Sequence, residues 1–394
     1  MQLEQALAQD STLSPATREA LKGLVDYLRK EEAANKAAPT SFWPEGLRLS
    51  GELRMRHVVS THLDNLPTRQ QSHVRARLGA TYNFDPEFQV GARLSTSDSS
   101  DPNTAWIGLG DVFDTFPIAF DRAFLAYAPE WCNGSKLTVG KFGHAFYANP
   151  VYGEMVWDAD VQPEGAALGL EKKDVLSMSK LELQAGYYVV SEQRIEGESS
   201  AYVAQVSSQF QTGEKIKSTA ALGVYHYTDL TPDGSQQVVS ENSGNVVVGA
   251  APNLDFESRF TIWNPILTTT YDGFSQPLTL SGEYILNPRA KNDQDRGYVV
   301  GVQAGRQAKR GDYRIYYQWQ VIEQDAVLSV VAQDDALFQT NHRTHIFGVD
   351  YLIRDRLLVR LWALVSARED TSPGLTTDSD KDQWRVRADL AFRF

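Results

Sequence analysis

Arginines recur at every second position in several stretches of this 394-residue chain, and that spacing, more than any nucleophile, is its main chemical resource. Arg48, Arg54 and Arg56 share one parity, as do Arg75 with Arg77 and Arg385 with Arg387 and Arg393, while Arg93, Arg122, Arg314 and Arg360 occupy the equivalent face of their own segments. In an extended strand, positions two apart point the same way, so each set becomes a row of guanidinium groups. Such rows bind and steer anions without making or breaking covalent bonds. Four long segments, 97–117, 145–162, 229–255 and 326–341, hold thirteen Asp and Glu together and no Lys or Arg. The net charge of −12 therefore conceals a basic wall beneath an acidic rim. Acidic loops at an outer surface can hold divalent cations that bridge lipopolysaccharide, and lining arginines bias a lumen toward anions. The competing reading has the arginines merely keeping a lumen wet by pairing with Glu52, Glu171, Glu182, Glu283 and Asp389.

Signals for catalysis or a cofactor are thin. His342 and His345 are three apart and fall on opposite faces of a strand, which is poor geometry for one metal ion. Gly108-Leu-Gly110 lacks the third glycine and the strand-to-helix setting of a nucleotide loop, and no Gly-x-Ser-x-Gly occurs. Asp158 and Asp160, on alternate positions, are weak candidates to share a cation or to hold the Lys141 ammonium. Asn133-Gly134-Ser135 reads as a turn. The acidic total argues against nucleic acid. The expectation is a protein that is not an enzyme and carries no cofactor.

The elements that position the arginines are strands. In the last eleven residues, Trp384, Val386, Ala388, Leu390, Phe392 and Phe394 share one face, and Arg385, Arg387, Asp389, Ala391 and Arg393 share the other. A continuous greasy face backed by three arginines implies solvents of opposite kind on the two sides, lipid outside and water inside. Leu47, Leu49, Gly51, Leu53 and Met55 alternate likewise with Arg48, Ser50, Glu52, Arg54 and Arg56. Val74, Ala76, Leu78, Ala80 and Tyr82 alternate with His73, Arg75, Arg77, Gly79 and Thr81. Counting similar runs near residues 87, 119, 135, 165, 178, 201, 215, 259, 277, 297, 312, 343, 356 and 384 gives sixteen, with fourteen or eighteen still open. Pro265 makes the run from Phe260 to Tyr271 doubtful, because it cannot donate to a ladder. Short turns alternate with long loops, and both barrel ends fall on the short-turn rim. The fold class expected is all-β, a transmembrane antiparallel barrel of about sixteen strands in the bacterial outer membrane.

Composition fits that reading. Mean hydropathy is −0.37, and no run nears the roughly 18 apolar residues of a membrane helix, but spanning strands are half polar by design. Aromatics at 11% suit girdles at the two membrane interfaces. A large soluble β-protein is the bland alternative, disfavoured because its hidden faces would not carry so many arginines. A lone cysteine, Cys132, permits no internal disulfide and leaves the compartment open. The start shows no charged-then-apolar leader, so the barrel reading expects a signal peptide already removed. The chain is expected to divide at residues 41 and 42: a periplasmic segment and linker, 1–41, then the barrel, 42–394. Within 16–36, Ala20, Leu21, Leu24, Val25 and Leu28 form an amphipathic helical stripe suited to oligomerisation, to plugging the barrel mouth or to touching the cell wall.

A bore of sixteen strands needs narrowing if it is to discriminate. Ser97 to Pro117 is the expected infolded loop, because Trp106, Ile107, Leu109, Val112, Phe113 and Phe116 suit water poorly at a tip. Asp101, Asp111 and Asp114 would then face Arg54, Arg56, Arg75 or Arg77 across a constriction. Packing on a neighbouring subunit is the alternative for this loop. Residues 229–255 are a second candidate.

The stretches Phe120-Asp-Arg-Ala-Phe-Leu-Ala-Tyr, Leu137-Thr-Val-Gly-Lys-Phe-Gly, Asn149-Pro, and Val156-Trp-Asp-Ala-Asp-Val-Gln-Pro-Glu-Gly-Ala-Ala-Leu-Gly-Leu resemble the putative porin family of Gram-negative outer membranes. The likeness is close over 120–170 and architectural elsewhere. It implies an ion- and solute-conducting diffusion channel, and it assigns Trp157, Asp158, Asp160, Glu164 and Gly165 no catalytic role. The resulting expectation is a passive pore for small hydrophilic solutes, homotrimeric and embedded among lipid and lipopolysaccharide. Two other hypotheses stand beside it. One is a barrel that sheathes a partner multihaem cytochrome, since no Cys-x-x-Cys-His is present to bind haem itself. The other is a barrel enzyme, for which no His-Ser or His-Asp set falls together.

Overall fold

The computed structural model describes residue 19 and residues 44–61, 68–97, 104–111, 113–192, 198–230, 244–250, 253–336, 338–372 and 382–394. By internal contacts the chain falls into two units, Met1–Leu47 and Arg48–Phe394. Apart from Glu19 and residues 44–47, the first unit, with the expected amphipathic helix, lies outside the described residues.

Along the chain the strands are β1 (Leu47–Ser60), β2 (Arg69–Asn83), β3 (Phe88–Thr96), β4 (Ile107–Gly108), β5 (Ile118–Tyr127), β6 (Ser135–Lys141), β7 (Glu164–Val175), β8 (Met178–Ser191), β9 (Ser199–Thr212) and β10 (Ile216–Thr228). After a separate hairpin of β11 (Val247–Ala250) and β12 (Asn253–Phe256) come β13 (Thr261–Tyr271), β14 (Leu278–Leu286), β15 (Arg296–Gly305), β16 (Tyr313–Ile322), β17 (His342–Arg354), β18 (Leu357–Arg368) and β19 (Gln383–Arg393). Setting aside β4, β11 and β12, sixteen antiparallel strands pair each with its neighbour in sequence, and β1 pairs with β19 to close the ring. Closure leaves no open edge, which is what lets a sheet sit in hydrocarbon with its backbone groups satisfied.

The alternation read from the sequence decides which way each strand faces. Leu53, Met55, Leu78, Leu183, Leu267, Val300, Phe347 and Leu361 are exposed on the outer surface, while Arg54, Arg75, Gln205, Ser207, Asn264, Gln318, Gln320, Asp350 and Arg387 are buried on the inner one. Polar-in and apolar-out is the reverse of a water-soluble core, and it fits a lipid-facing cylinder. Aromatic pairs band the two rims. Phe88 stacks on Tyr127 at 4.6 Å and Tyr271 meets Phe274 at 4.9 Å near the short turns, while Tyr187–Tyr202 and Tyr284–Tyr298, at 5.4 and 5.3 Å, lie near the long loops.

Two local features show why particular residues are needed. The doubted run at Pro265 is a full strand, with Pro265 opposite Leu222 on the β10 side. On the β14 side the pairing is interrupted between Trp263 and Ile266, with the register kept. There Asn264 Nδ2 donates to the Tyr284 carbonyl at 3.2 Å and to Glu283 Oε1 at 2.9 Å, so a side-chain amide supplies donors where the imide has none. In the β5–β6 turn, Gly134 has φ +88° and lies against the Glu171 carbonyl, so a Cβ there would be both strained and obstructed.

Candidate functional site

Six arginines converge on one stretch of inner wall because β1, β2, β3 and β5 lie side by side and turn alternate positions inward. Arg56 Nε donates to Asp389 Oδ1 at 2.9 Å across the β1–β19 seam. Arg75 reaches Glu52 at 2.5 Å and Asp160 at 2.8 Å, and Arg77 reaches the same Asp160 at 2.9 Å. Arg93 pairs with Asp121 at 2.6 Å, and Arg122 Nε donates to Gln162 Oε1 at 2.7 Å. Farther round, Arg314 and Arg360 share Asp350 at 2.8 and 2.6 Å, Arg385 donates to the Asp335 carbonyl at 2.7 Å, and Arg387 pairs with the Asp335 carboxylate. Arg48, expected in the same row, sits at the exposed start of β1 and does not line the cavity beside the others. Of the carboxylates expected to pair with arginine, Glu52 and Asp389 do so. Glu171 and Glu182 instead hold Lys180, at 3.1 and 2.8 Å, and Glu283 accepts from Asn264.

Strict alternation would have turned Asp121 outward. A bulge between Arg93 and Leu94, where Arg93 faces Arg122 and Leu94 faces Phe120, leaves Asp121 as the extra residue. Asp121 and Arg122 consequently both point inward, and Arg93 gains a carboxylate that parity alone denies it.

The opposite side of the cavity comes from two long connections, 142–163 and 323–336, that run inside the barrel. Met155, Val156, Trp157 and Val161 from the first, and Ala326, Val327, Leu328, Val330 and Val331 from the second, form one apolar core with inward residues such as Tyr188, Val203, Tyr225, Ile262 and Ile285. Burying such side chains stabilises by about 1.5–3 kcal/mol each, enough to hold chain that would otherwise be solvated. The Asp158 amide donates to the Val331 carbonyl at 2.8 Å, tying the two segments together. Gln333 Nε2 donates to the Gly153 carbonyl at 2.9 Å, and Asn149 Nδ2 to Gln318 Oε1 at 3.1 Å, securing them to each other and to β16. Tyr152 Oη donates to Asp335, the carboxylate that Arg387 also grips.

These connections carry the acids. Burial acts to raise the Asp160 carboxyl, but Arg75 and Arg77 outweigh it and hold it below the usual carboxylate range. Asp335 is buried too, and Arg387 with Arg56 likewise drives it low. For Glu154 and Asp334, burial and then the neighbouring Asp335 charge outweigh the more distant arginines, and both are raised to about 7. Burial, then the Glu154 charge, pushes Asp158 well above its ordinary value. A cavity of about 450 Å³ separates the two sides, and nine guanidinium groups and six carboxylates line it.

The expected constriction loop is corrected in part. Trp106 does enter the site, with the guanidinium carbons of Arg56, Arg75 and Arg54 at 3.8, 4.9 and 5.7 Å from its ring centroid. Ile107–Gly108 then pairs with His73 and Val74 of β2, after which Leu109, Asp111, Phe113, Asp114 and Phe116 are all exposed. Asp111 and Asp114 therefore do not oppose the arginines; Asp160, Asp335, Glu154, Asp158 and Asp334 take that place. Asp101 and Val112 lie outside the described residues. Five of the acids expected on an outer rim are thus inside. The signal that could have found them is the apolar run Val327–Val331 beside Asp334 and Asp335, with its counterpart Val151–Val161 around Asp158 and Asp160. The Asp158–Asp160 cation candidate fails on geometry, since both Asp160 oxygens face arginines and Asp158 Oδ1 accepts from the Asp160 amide at 2.7 Å. Lys141 pairs with Glu164 instead, at 2.6 Å. Among the described residues no group of His, Cys, Asp or Glu is placed to hold a metal.

A family model described as putative porin matches residues 33–259. No curated protein matches the chain. Solved structures similar to this one include OprB of Pseudomonas putida at high pH, at TM-score 0.58 and 12% identity over 89% of this chain and 94% of that one. Salmonella typhi OmpF in complex with daunomycin is similar at TM-score 0.52 and 12% identity over 88% and 97%. In-vitro folded OmpT of Vibrio cholerae, a trimer form, is similar at TM-score 0.50 and 12% identity over 88% and 99%. At such identities the likeness concerns the fold.

Proposed function

The chain belongs to the putative porin family, a β-barrel channel of the bacterial outer membrane, and we propose that it conducts small hydrophilic solutes passively through a constriction between the arginine wall and the acidic infolded connections. The observation that carries this reading is one cavity lined by arginines of the wall and carboxylates of the connections, the two sides meeting where Asp160 pairs with Arg75 and Arg77. Opposed fixed charges make a field across the passage that sorts polar solutes by charge and size. Nine arginines against six carboxylates, three of them raised toward neutrality, favour anions over cations. Current through the full chain in a planar bilayer, with the reversal potential in a salt gradient, tests the reading. Discrete channels with an anion-side reversal potential support it, and a non-conducting barrel contradicts it.

A barrel sheathing a cytochrome is disfavoured, because the apolar core formed by the two connections occupies the lumen that a partner would need. A homotrimer is the proposed assembly. Its support is the exposed apolar stretch of Leu109, Phe113, Phe116, Ile118 and Phe120 and the shortness of seven-residue β6, together with the trimer form of a structure of the same fold. Residues 1–41 are proposed to remain periplasmic, ahead of the barrel.

A further inference from the structure

One guanidinium in the cavity has no direct hydrogen-bond or ion-pair partner among the described residues, with Glu52 and Asp389 acting on it only at a distance. Arg54 lines it and is only 7% exposed, and its Nε finds no hydrogen-bond partner. Among the described residues it makes no ion pair, whereas its neighbours Arg56 and Arg75 are held by Asp389 and by Glu52 with Asp160. A buried cation without a partner costs several kcal/mol, so a counter-charge arriving from solvent would be strongly welcomed. Trp106 stands beside it, sharing its ring with three guanidinium groups and holding that part of the wall in place.

We propose that Arg54, positioned beside Trp106, is the binding site for a small oxyanion, a carboxylate or a phosphate, taken up within the constriction. The planar fork of the guanidinium matches two oxygens of either group at once. A volume of about 450 Å³ admits one small solute and not a polymer. Glu154 and Asp158 also line the cavity and would repel an anion if charged. Burial raises both, Glu154 to about 7, which weakens that repulsion as the pH falls. The site rests on the channel reading, since the cavity is a stretch of the proposed passage.

Isothermal titration calorimetry of the detergent-solubilised full chain, with sodium acetate and sodium phosphate as separate probes at fixed ionic strength, reads the site; bilayer conductance reads the channel. Saturable binding of one probe is expected, and the stronger of the two assigns the class. Arg54→Gln should weaken it at least about tenfold, with Arg54→Lys, which keeps the charge but not the fork, in between. Arg69→Gln, at the exposed start of β2, should bind as the parent does. No saturable heat with either probe, or unchanged affinity in Arg54→Gln, overturns the site even if the barrel conducts. Binding without conductance keeps the site and defeats the channel. Should Arg54→Gln fail to fold, judged by heat-modifiable migration, unchanged affinity in Arg54→Lys overturns the proposal.

Discussion

Replacing Asp160 with Asn should make the passage more anion-selective by about an order of magnitude. Asp160 is the carboxylate that Arg75 and Arg77 share, at 2.8 and 2.9 Å, and Asn keeps its shape while removing its charge. A unit charge about 6 Å from a passing ion contributes about 2.8 kcal/mol at an effective dielectric constant of about 20, and about 0.7 kcal/mol in bulk water. Salt at 0.1 M, with a Debye length of about 10 Å, reduces these to about 1.5 and 0.4 kcal/mol. The change that favours an anion penalises a cation equally, so the permeability ratio shifts by about 0.8–3 kcal/mol, or about 4-fold to 150-fold. Folding should survive, because Arg75 keeps Glu52 at 2.5 Å and Arg77 keeps Asp121 at 3.8 Å. The assay is the reversal potential in a tenfold potassium chloride gradient, with heat-modifiable migration as the folding control. A folded variant whose reversal potential stays put, or moves toward cations, refutes the placement of Asp160 at the constriction.

Selectivity should also depend on pH. Glu154 and Asp334, raised to about 7 by burial and by Asp335, carry protons at pH 6 and lose them by pH 9. Anion preference should therefore be greater at pH 6, and Glu154→Gln combined with Asp334→Asn should flatten the profile. Because these pKa values are raised on folding, the stability that the two acids lend to the docked connections is full at low pH and lost as pH climbs through about 7. Trp157→Ala should loosen segment 142–163, since Trp157 stacks on His144 at 4.7 Å and bonds the Val161 carbonyl at 3.1 Å. The expected cost is about 3–5 kcal/mol, seen as larger and noisier single-channel currents, and an unaltered conductance trace would count against the connection's role.

The barrel was legible in the sequence because a strand with lipid on one side and water on the other cannot avoid period-two alternation. Trp384 to Phe394 declares its two faces without help. The count of sixteen followed from the same periodicity, and even the Pro265 strand satisfied it once Asn264 is allowed to supply donors. Asp121 was not legible, since one bulge shifts parity and leaves no mark in composition. The misplaced loop has a clearer lesson. Apolar residues at 106–116 suggest an infolded segment by the logic of soluble proteins, yet a membrane barrel offers apolar side chains a second destination, outside. Here Phe113, Phe116 and Phe120 are exposed, and Trp106 alone among the aromatics of 97–117 turns to the arginines. In the segments that do enter, 142–163 and 323–336, the acids stand out in the sequence more than the aliphatic residues that dock them.

The most direct measurement is labelling of adjacent cysteines in a Cys132→Ser background. A charged, membrane-impermeant thiol reagent should modify Arg77→Cys and lower the bilayer current. It should leave Leu78→Cys untouched, while a lipid-soluble maleimide should do the reverse. If the impermeant reagent modifies position 78 in preference to position 77, the wall has been read inside out.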